Sequence, residues 1–123
     1  MTSLNVLICG GGIAGIEGLL HLRRLAGERV ELTLVSPEEQ FVCRPLAVRE
    51  PFALEGVRRH PMERIASDTG ARWIQDRLER IDVDACTLHT EGGRELSYDA
   101  LLLALGARES APYEHAHVVT DRV

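Results

Sequence analysis

No apolar run in this 123-residue chain approaches the ~18 residues that a membrane-spanning helix needs. Met1 to Asn5 carries no Lys or Arg ahead of the first apolar stretch, so no secretory leader is predicted. Positive charge is also short. Fourteen Lys and Arg face 19 Asp and Glu, for a net charge of −5. That balance argues against nucleic acid or a polybasic membrane patch as partner, since both need clustered cations. Cysteine is scarce and widely spaced. Cys9, Cys43 and Cys86 form no Cys-x-x-Cys pair and no even-numbered disulfide framework, which points to a reducing, cytoplasmic setting. No repeat or low-complexity tract is present. What remains is an ordinary soluble composition, 45% hydrophobic and 27% charged, at a length typical of one domain. Such a chain buries roughly two thirds of its unfolded surface, enough for one core. It is too short for two full nucleotide-binding domains.

The pattern along the chain is strand, glycine turn, helix, strand. Leu4 to Cys9 is a short apolar run of strand formers, as in a parallel strand covered on both faces. It stops at Gly10-Gly11-Gly12. From Ile13 the period becomes helical, with Ile16, Leu19, Leu20 and Leu22 on an apolar side and Glu17, His21, Arg24 and Glu28 on a polar one. Gly27 is placed to end that helix. Val30 to Val35 is a second strand, closed by Ser36-Pro37. These 32 or so residues make a βαβ unit, whose crossover is almost always right-handed.

Pro37, Pro45, Pro51 and Pro61 then crowd residues 36–62. Each disfavours helix at the residue before it, which predicts irregular chain with short helical pieces at most. Phe41, Leu46, Val48, Phe52 and Leu54 in the same stretch predict that it folds onto something. Met62 to Thr69 reads as a helix stopped by Gly70. Ala71 to Gln75, Arg77 to Asp82 and Cys86 to Thr90 read as short strands, and Glu91-Gly92-Gly93-Arg94 as a hairpin turn. Ala100 to Ala104 is a last apolar run before Gly106, and the tail from Arg108 has no clear period.

Gly10-x-Gly12-x-x-Gly15 follows a strand and opens a helix, the context in which this spacing acquires a function. Gly10 serves the tight turn, Gly12 the close approach of a pyrophosphate, and Gly15 the packing of helix on strand. Free amides and the positive end of the helix dipole then hold an anion without Lys or Arg, which suits an acidic protein. A carboxylate commonly follows about 20 residues on to bind a ribose hydroxyl. Ser36 stands there instead, with Glu38 and Glu39 just beyond.

Leu7 to Leu20 through the glycine turn, Leu32-Thr-Leu-Val-Ser-Pro37, and Phe41-Val-Cys-Arg-Pro-Leu46 together resemble flavoproteins with two dinucleotide-binding domains. Within these the chain is similar to the pyridine nucleotide-disulfide oxidoreductase superfamily, near its type II NADH dehydrogenase, sulfide:quinone oxidoreductase and flavocytochrome sulfide dehydrogenase branches. Glu95 to Ala107, containing Tyr98-Asp99 and Ala104-Leu105-Gly106, resembles the family's second FAD fingerprint, with Leu105 in place of its usual Thr. The likeness covers residues 4 to about 108. It implies an α/β, Rossmann-type FAD-binding domain, a parallel sheet with flanking helices and a small β-meander, over residues 1–108 and incomplete. Residues 109–123 would be a tail or linker toward an NAD(P)H-binding domain absent from this chain.

By the same resemblance, the FAD pyrophosphate lies at Gly10, Gly12, Ile13, Ala14 and Gly15, with Ser36 and Pro37 at the adenosine ribose. Arg44 and Pro45 approach the flavin side of the pyrophosphate. Backbone groups of Arg77 and Leu78 meet the adenine, and Ala104, Leu105 and Gly106 pass beside the cofactor. The whole protein would pass electrons from NAD(P)H through FAD to an acceptor such as a quinone, with room for peripheral membrane contact, while this portion alone is inactive.

Cys43 is the one candidate catalytic residue. It lies in the loop that in this superfamily passes near the flavin, where some branches carry a redox-active Cys. A sulfide- or thiol-oxidising flavoenzyme is therefore one alternative, and a non-catalytic NAD(P)- or nucleotide-binding module is the other. The bland account of Cys43 is a small residue filling a gap, because the chain offers no partner Cys and no Cys-x4-Cys motif. Cys9 and Cys86 read as packing residues. His21 reads as part of a solvated face, Arg58-Arg59 as a solvated pair and Trp73 as packing. His60, His89, His115 and His117 show no metal-ligand spacing.

Overall fold

Leu4–Cys9 forms strand β1, and the chain turns through the glycines into helix α1, Ile13–Ala26. The structure, a computed structural model, describes residues 2–43, 45, 58–107 and 113–117. A 3₁₀ turn over Gly27–Arg29 follows α1 and leads into β2, Val30–Ser36. The turn works because Gly27 adopts φ 57° and its amide donates to the Arg23 carbonyl, ending the helix where the sequence places its stop. β3 (Gln40–Val42) and β4 (Arg59–Pro61) pair antiparallel, and helix α2 (Met62–Thr69) leaves directly from Pro61. β5 (Arg72–Gln75), β6 (Leu78–Asp82), β7 (Thr87–Thr90), β8 (Glu95–Ser97) and β9 (Ala100–Leu103) complete the order.

Four strands make the main sheet, in the order β5-β2-β1-β9, and all of its pairings are parallel. Side chains alternate across it, as a two-residue period requires. Val6, Ile8, Val30, Leu32 and Leu34 pack with Ile16 and Leu19 of α1 and Met62 of α2. Leu7, Cys9, Val35 and Ile74 face the other way, onto Leu88 of the β6-β7-β8 meander. Both faces are covered, so Val6 to Cys9 are all buried, as the uninterrupted apolar run predicted. The second fingerprint has a structural task here. Asp99 accepts the Asn5 amide at 2.7 Å and returns its own amide to the Asn5 carbonyl at 2.8 Å. Tyr98 packs on the meander side of the core. Together they seat β9 against β1.

Three expectations need correction. Leu20 is 45% exposed, not part of the buried stripe, because the apolar side of α1 is set by Ile16, Leu19 and the half-buried Leu22. Residues 36–62 are not wholly irregular: the β3–β4 pair sits within them, since Pro61 ends its strand rather than interrupting it. Phe41 of that pair does pack on the core, as its position suggested. Cys86 is exposed in the turn before β7 with φ 49° and is no packing residue. Cys9 is buried as expected. His21 lies on the exposed face of α1, where Nδ1 sits 2.9 Å from the Glu17 carbonyl. Among the described residues, no helix is long and apolar enough to cross a membrane.

Candidate cofactor site

The order β5-β2-β1-β9 places β1 where the chain reverses its direction of travel across the sheet. Outside the carboxyl ends of parallel strands, such a switch point opens a crevice. The glycine turn lies in that crevice. Its first glycine extends the sheet: the Gly10 amide donates to the Val35 carbonyl at 2.9 Å, and the Ala104 amide to the Cys9 carbonyl at 2.7 Å. Gly10 has φ 119°, and a Cβ there would collide with the Ala104 carbonyl. A Cβ on Gly15 would collide with the Gly10 carbonyl, so the helix can rise this close to the strand only without one. Gly12 differs. A Cβ built there meets nothing within 4 Å.

That open side is where an anion would rest. Gly12 caps α1 without any side-chain hydrogen bond, and no acidic residue occupies the first turn. Gly12, Ile13 and Ala14 are exposed, so the amides at the start of α1 face the crevice with their dipole uncancelled. The cradle fits a pyrophosphate group by shape and by charge.

The flanking residues fall into two groups. Ala104 is half-buried beside the turn, while Leu105 and Gly106 are exposed beyond it. Pro37 is half-buried at the end of β2. Ser36 is where the sequence puts it, but its side chain is fully buried, and the hydroxyl donates to the Glu38 carbonyl at 3.1 Å. Gln75 Nε2, across from it on β5, donates to Glu39 Oε1 at 3.3 Å and to the Pro37 carbonyl at 3.4 Å. Cys43 is a half-buried free thiol just past β3. Pro45 is exposed, and Arg44 lies outside the described residues.

Leu78 opens β6, and Arg77 precedes it in the link from the end of β5. Both main-chain groups of Arg77 are already engaged: its amide donates to Asp76 Oδ1 at 2.7 Å, and its carbonyl accepts from the Glu91 amide at 2.9 Å. Asp76 Oδ1 also accepts from the Gly92 amide at 3.1 Å, and Arg94 Nε lies 3.7 Å from Oδ2. The Thr90 hydroxyl, then the Arg77 and Gly92 amides and the Arg94 charge, hold this carboxyl below its ordinary value.

Two contacts at the site were not anticipated from the sequence. A Cβ on Gly11 would come within 2.5 Å of Met62 Cε and 2.7 Å of Ser36 Oγ. Gly11 is therefore the residue on which α2 and the end of β2 close. The middle glycine of the three, unneeded by the Gly-x-Gly-x-x-Gly spacing, was the available signal. Asp76 gave none beyond its place next to Arg77.

The chain matches a family model, described as pyridine nucleotide-disulphide oxidoreductase, over residues 4–120. It belongs to that family. The mouse mitochondrial sulfide:quinone oxidoreductase is 30% identical over 108 residues, which is 83% of this chain and 23% of the mouse protein. The sulfide-quinone reductase of Aquifex aeolicus (strain VF5) is 29% identical over 109 residues, 85% of this chain and 24% of that protein. The crystal structure of the Aquifex aeolicus sulfide:quinone oxidoreductase superposes with a TM-score of 0.79 at 27% identity, covering 86% of this chain and 25% of that one. The chain thus spans about a quarter of the length of these relatives. Its α/β fold is the Rossmann type found in this oxidoreductase family.

Proposed function

We propose that this chain is the FAD-binding portion of a flavoprotein oxidoreductase whose electrons pass to a quinone. The observation that carries it is the uncapped start of α1, held open at Gly12 and closed around Gly10 and Gly15, at the switch point of a parallel sheet. Amides of Gly12, Ile13, Ala14 and Gly15 would bind the pyrophosphate. With the Ser36 hydroxyl buried, the ribose would meet the main chain of Ser36 and Pro37. With both Arg77 main-chain groups engaged, Leu78 is the residue of that pair left to contact the adenine. Ala104, Leu105 and Gly106 would run alongside the cofactor, and Arg44 and Pro45 would lie toward its flavin half. FAD, when bound, supplies the hydride and electron chemistry, and these residues bind and orient it.

The quinone acceptor rests on the named activity of the relatives, and an apolar acceptor would bring the whole protein to a membrane surface. Two donors are distinguished. Sulfide is favoured by the same relatives, with Cys43 handling sulfur; NAD(P)H is the donor suggested by the family description. Turnover requires both donor and acceptor sites, so the 123-residue chain alone is expected to bind FAD without catalysing electron transfer. A flavin absorption band in the purified chain, or its recovery on adding FAD, supports the reading. A colourless protein that binds NADH and not FAD refutes it. Within a full-length protein carrying this sequence, Cys43→Ser should abolish sulfide oxidation, and unchanged sulfide oxidation would exclude that role.

A further inference from the structure

Beside the crevice, the link between β5 and β6 is held by one side chain. Asp76 is only 11% exposed, yet it belongs to no packed apolar cluster. Its main-chain amide reaches the Ser36 carbonyl at 3.3 Å, tying it to the end of β2. Its carboxylate gathers the Arg77 amide at 2.7 Å and the Gly92 amide at 3.1 Å, with the Thr90 hydroxyl and the Arg94 guanidinium beside it. These donors come from two segments: the corner that opens β6, and the β7–β8 hairpin that packs over it. A Cβ on Gly92 would lie 2.5 Å from Asp76 Oδ2, so a side chain there would have to displace the carboxylate. The hairpin is thereby drawn onto the carboxylate itself. The Glu91 amide, bonded to the Arg77 carbonyl at 2.9 Å, closes the ring from the other side.

We propose that Asp76 is a positioning residue for the adenosine half of the dinucleotide: it fixes the Arg77–Leu78 main chain, relative to the end of β2, at the wall an adenine would lie against. It rests on the FAD reading above and adds a residue which that reading does not use. A carboxylate suits the task because it is acceptor-only and can receive several converging N–H and O–H donors at once. An amide in its place keeps the volume but, with Oδ1 kept as the acceptor of the two main-chain amides, turns the other oxygen into a donor that faces Arg94. The corner would then be free to shift by fractions of an ångström, which is enough to misplace a flat aromatic ligand held by main-chain contacts.

The experiment measures ADP and FAD dissociation constants for the 123-residue chain and for three variants, each well below its own melting midpoint. Asp76→Asn should weaken ADP and FAD by about tenfold. Arg94→Gln removes a half-exposed partner, cannot threaten folding in the same way, and should weaken both by two- to threefold. Arg23→Met, which loosens the opposite end of the sheet, should lower the melting midpoint and leave both constants unchanged. Unaltered ADP binding in Asp76→Asn and Arg94→Gln would overturn the proposal, as would an equal loss in Arg23→Met. If the unmodified chain binds neither FAD nor ADP, the FAD reading fails and takes this role with it. If it binds them and Asp76→Asn binds them equally well, only the role of Asp76 falls.

Discussion

Gly12 and Gly15 stand three residues apart and illustrate how the same residue type answers two different constraints. At Gly15 a Cβ would strike the Gly10 carbonyl, which is backbone and cannot move aside. Gly15→Ala should therefore destabilise the chain by about 3 kcal/mol, the range for overpacking, read as a shift in the urea midpoint at unchanged slope. At Gly12 there is open space and a φ of −84° that any residue adopts. Gly12→Asp should leave stability within about 0.5 kcal/mol and abolish FAD binding, because its carboxylate would occupy the anion's place. A loss of stability at Gly12, or of binding alone at Gly15, would reverse these assignments. The cysteines divide in a similar way. Burial pushes the Cys9 thiol up from 9.0 to about 11, so it stays protonated at neutral pH and is shielded. An alkylating reagent at pH 8 should label Cys86 within seconds and Cys9 only in denaturant. The unfolded thiol ionises first as pH rises, so stability falls between about pH 9 and 11, and Cys9→Ala should remove that loss.

Beyond the strand ladders and the apolar core, one charged side chain joins several elements by reaching their main-chain carbonyls. Arg23 near the end of α1 donates to Thr69 at 2.7 Å, Gly27 at 2.6 Å, Val30 at 3.3 Å and Gly70 at 3.1 Å. One guanidinium thus stitches the end of α1 to the start of β2 and to the end of α2. Cations near a helix C-terminus also complement its dipole. Arg23→Met keeps the stem but leaves these carbonyls without their donor, and should cost about 2–4 kcal/mol, measured by chemical denaturation. A cost below ~1 kcal/mol would mean that water replaces the guanidinium freely. The element boundaries themselves were largely legible. Gly27 and Gly70 end α1 and α2 with positive φ, as their positions after apolar periods suggested. The β3–β4 pair was not, because two three-residue strands set 16 residues apart (Gln40–Val42 and Arg59–Pro61) carry too few residues to show a period.

On the scale of the whole molecule, the meander is what makes the sheet two-sided. Leu88, fully buried, reaches Leu7, Cys9, Val35 and Ile74 from the middle strand of the meander. Leu88→Ala should cost about 3 kcal/mol in the same denaturation measurement. A near-zero effect would show that the meander folds apart from the sheet. The sequence by itself determined the βαβ unit, the glycine turn and the parallel sheet, because each depends on local steric rules or on short-range periodicity, and it made the family legible as a resemblance of its motifs to known flavoproteins. It also named the residues of the cradle. Only the tertiary structure decided that Ser36 faces inward, that Leu20 faces outward, that Gly11 is pinned by Met62, and that Asp76 binds a hairpin 16 residues away. Those outcomes depend on which surfaces meet when the strand order closes, and a pattern along one chain does not encode the distance between segments far apart in it.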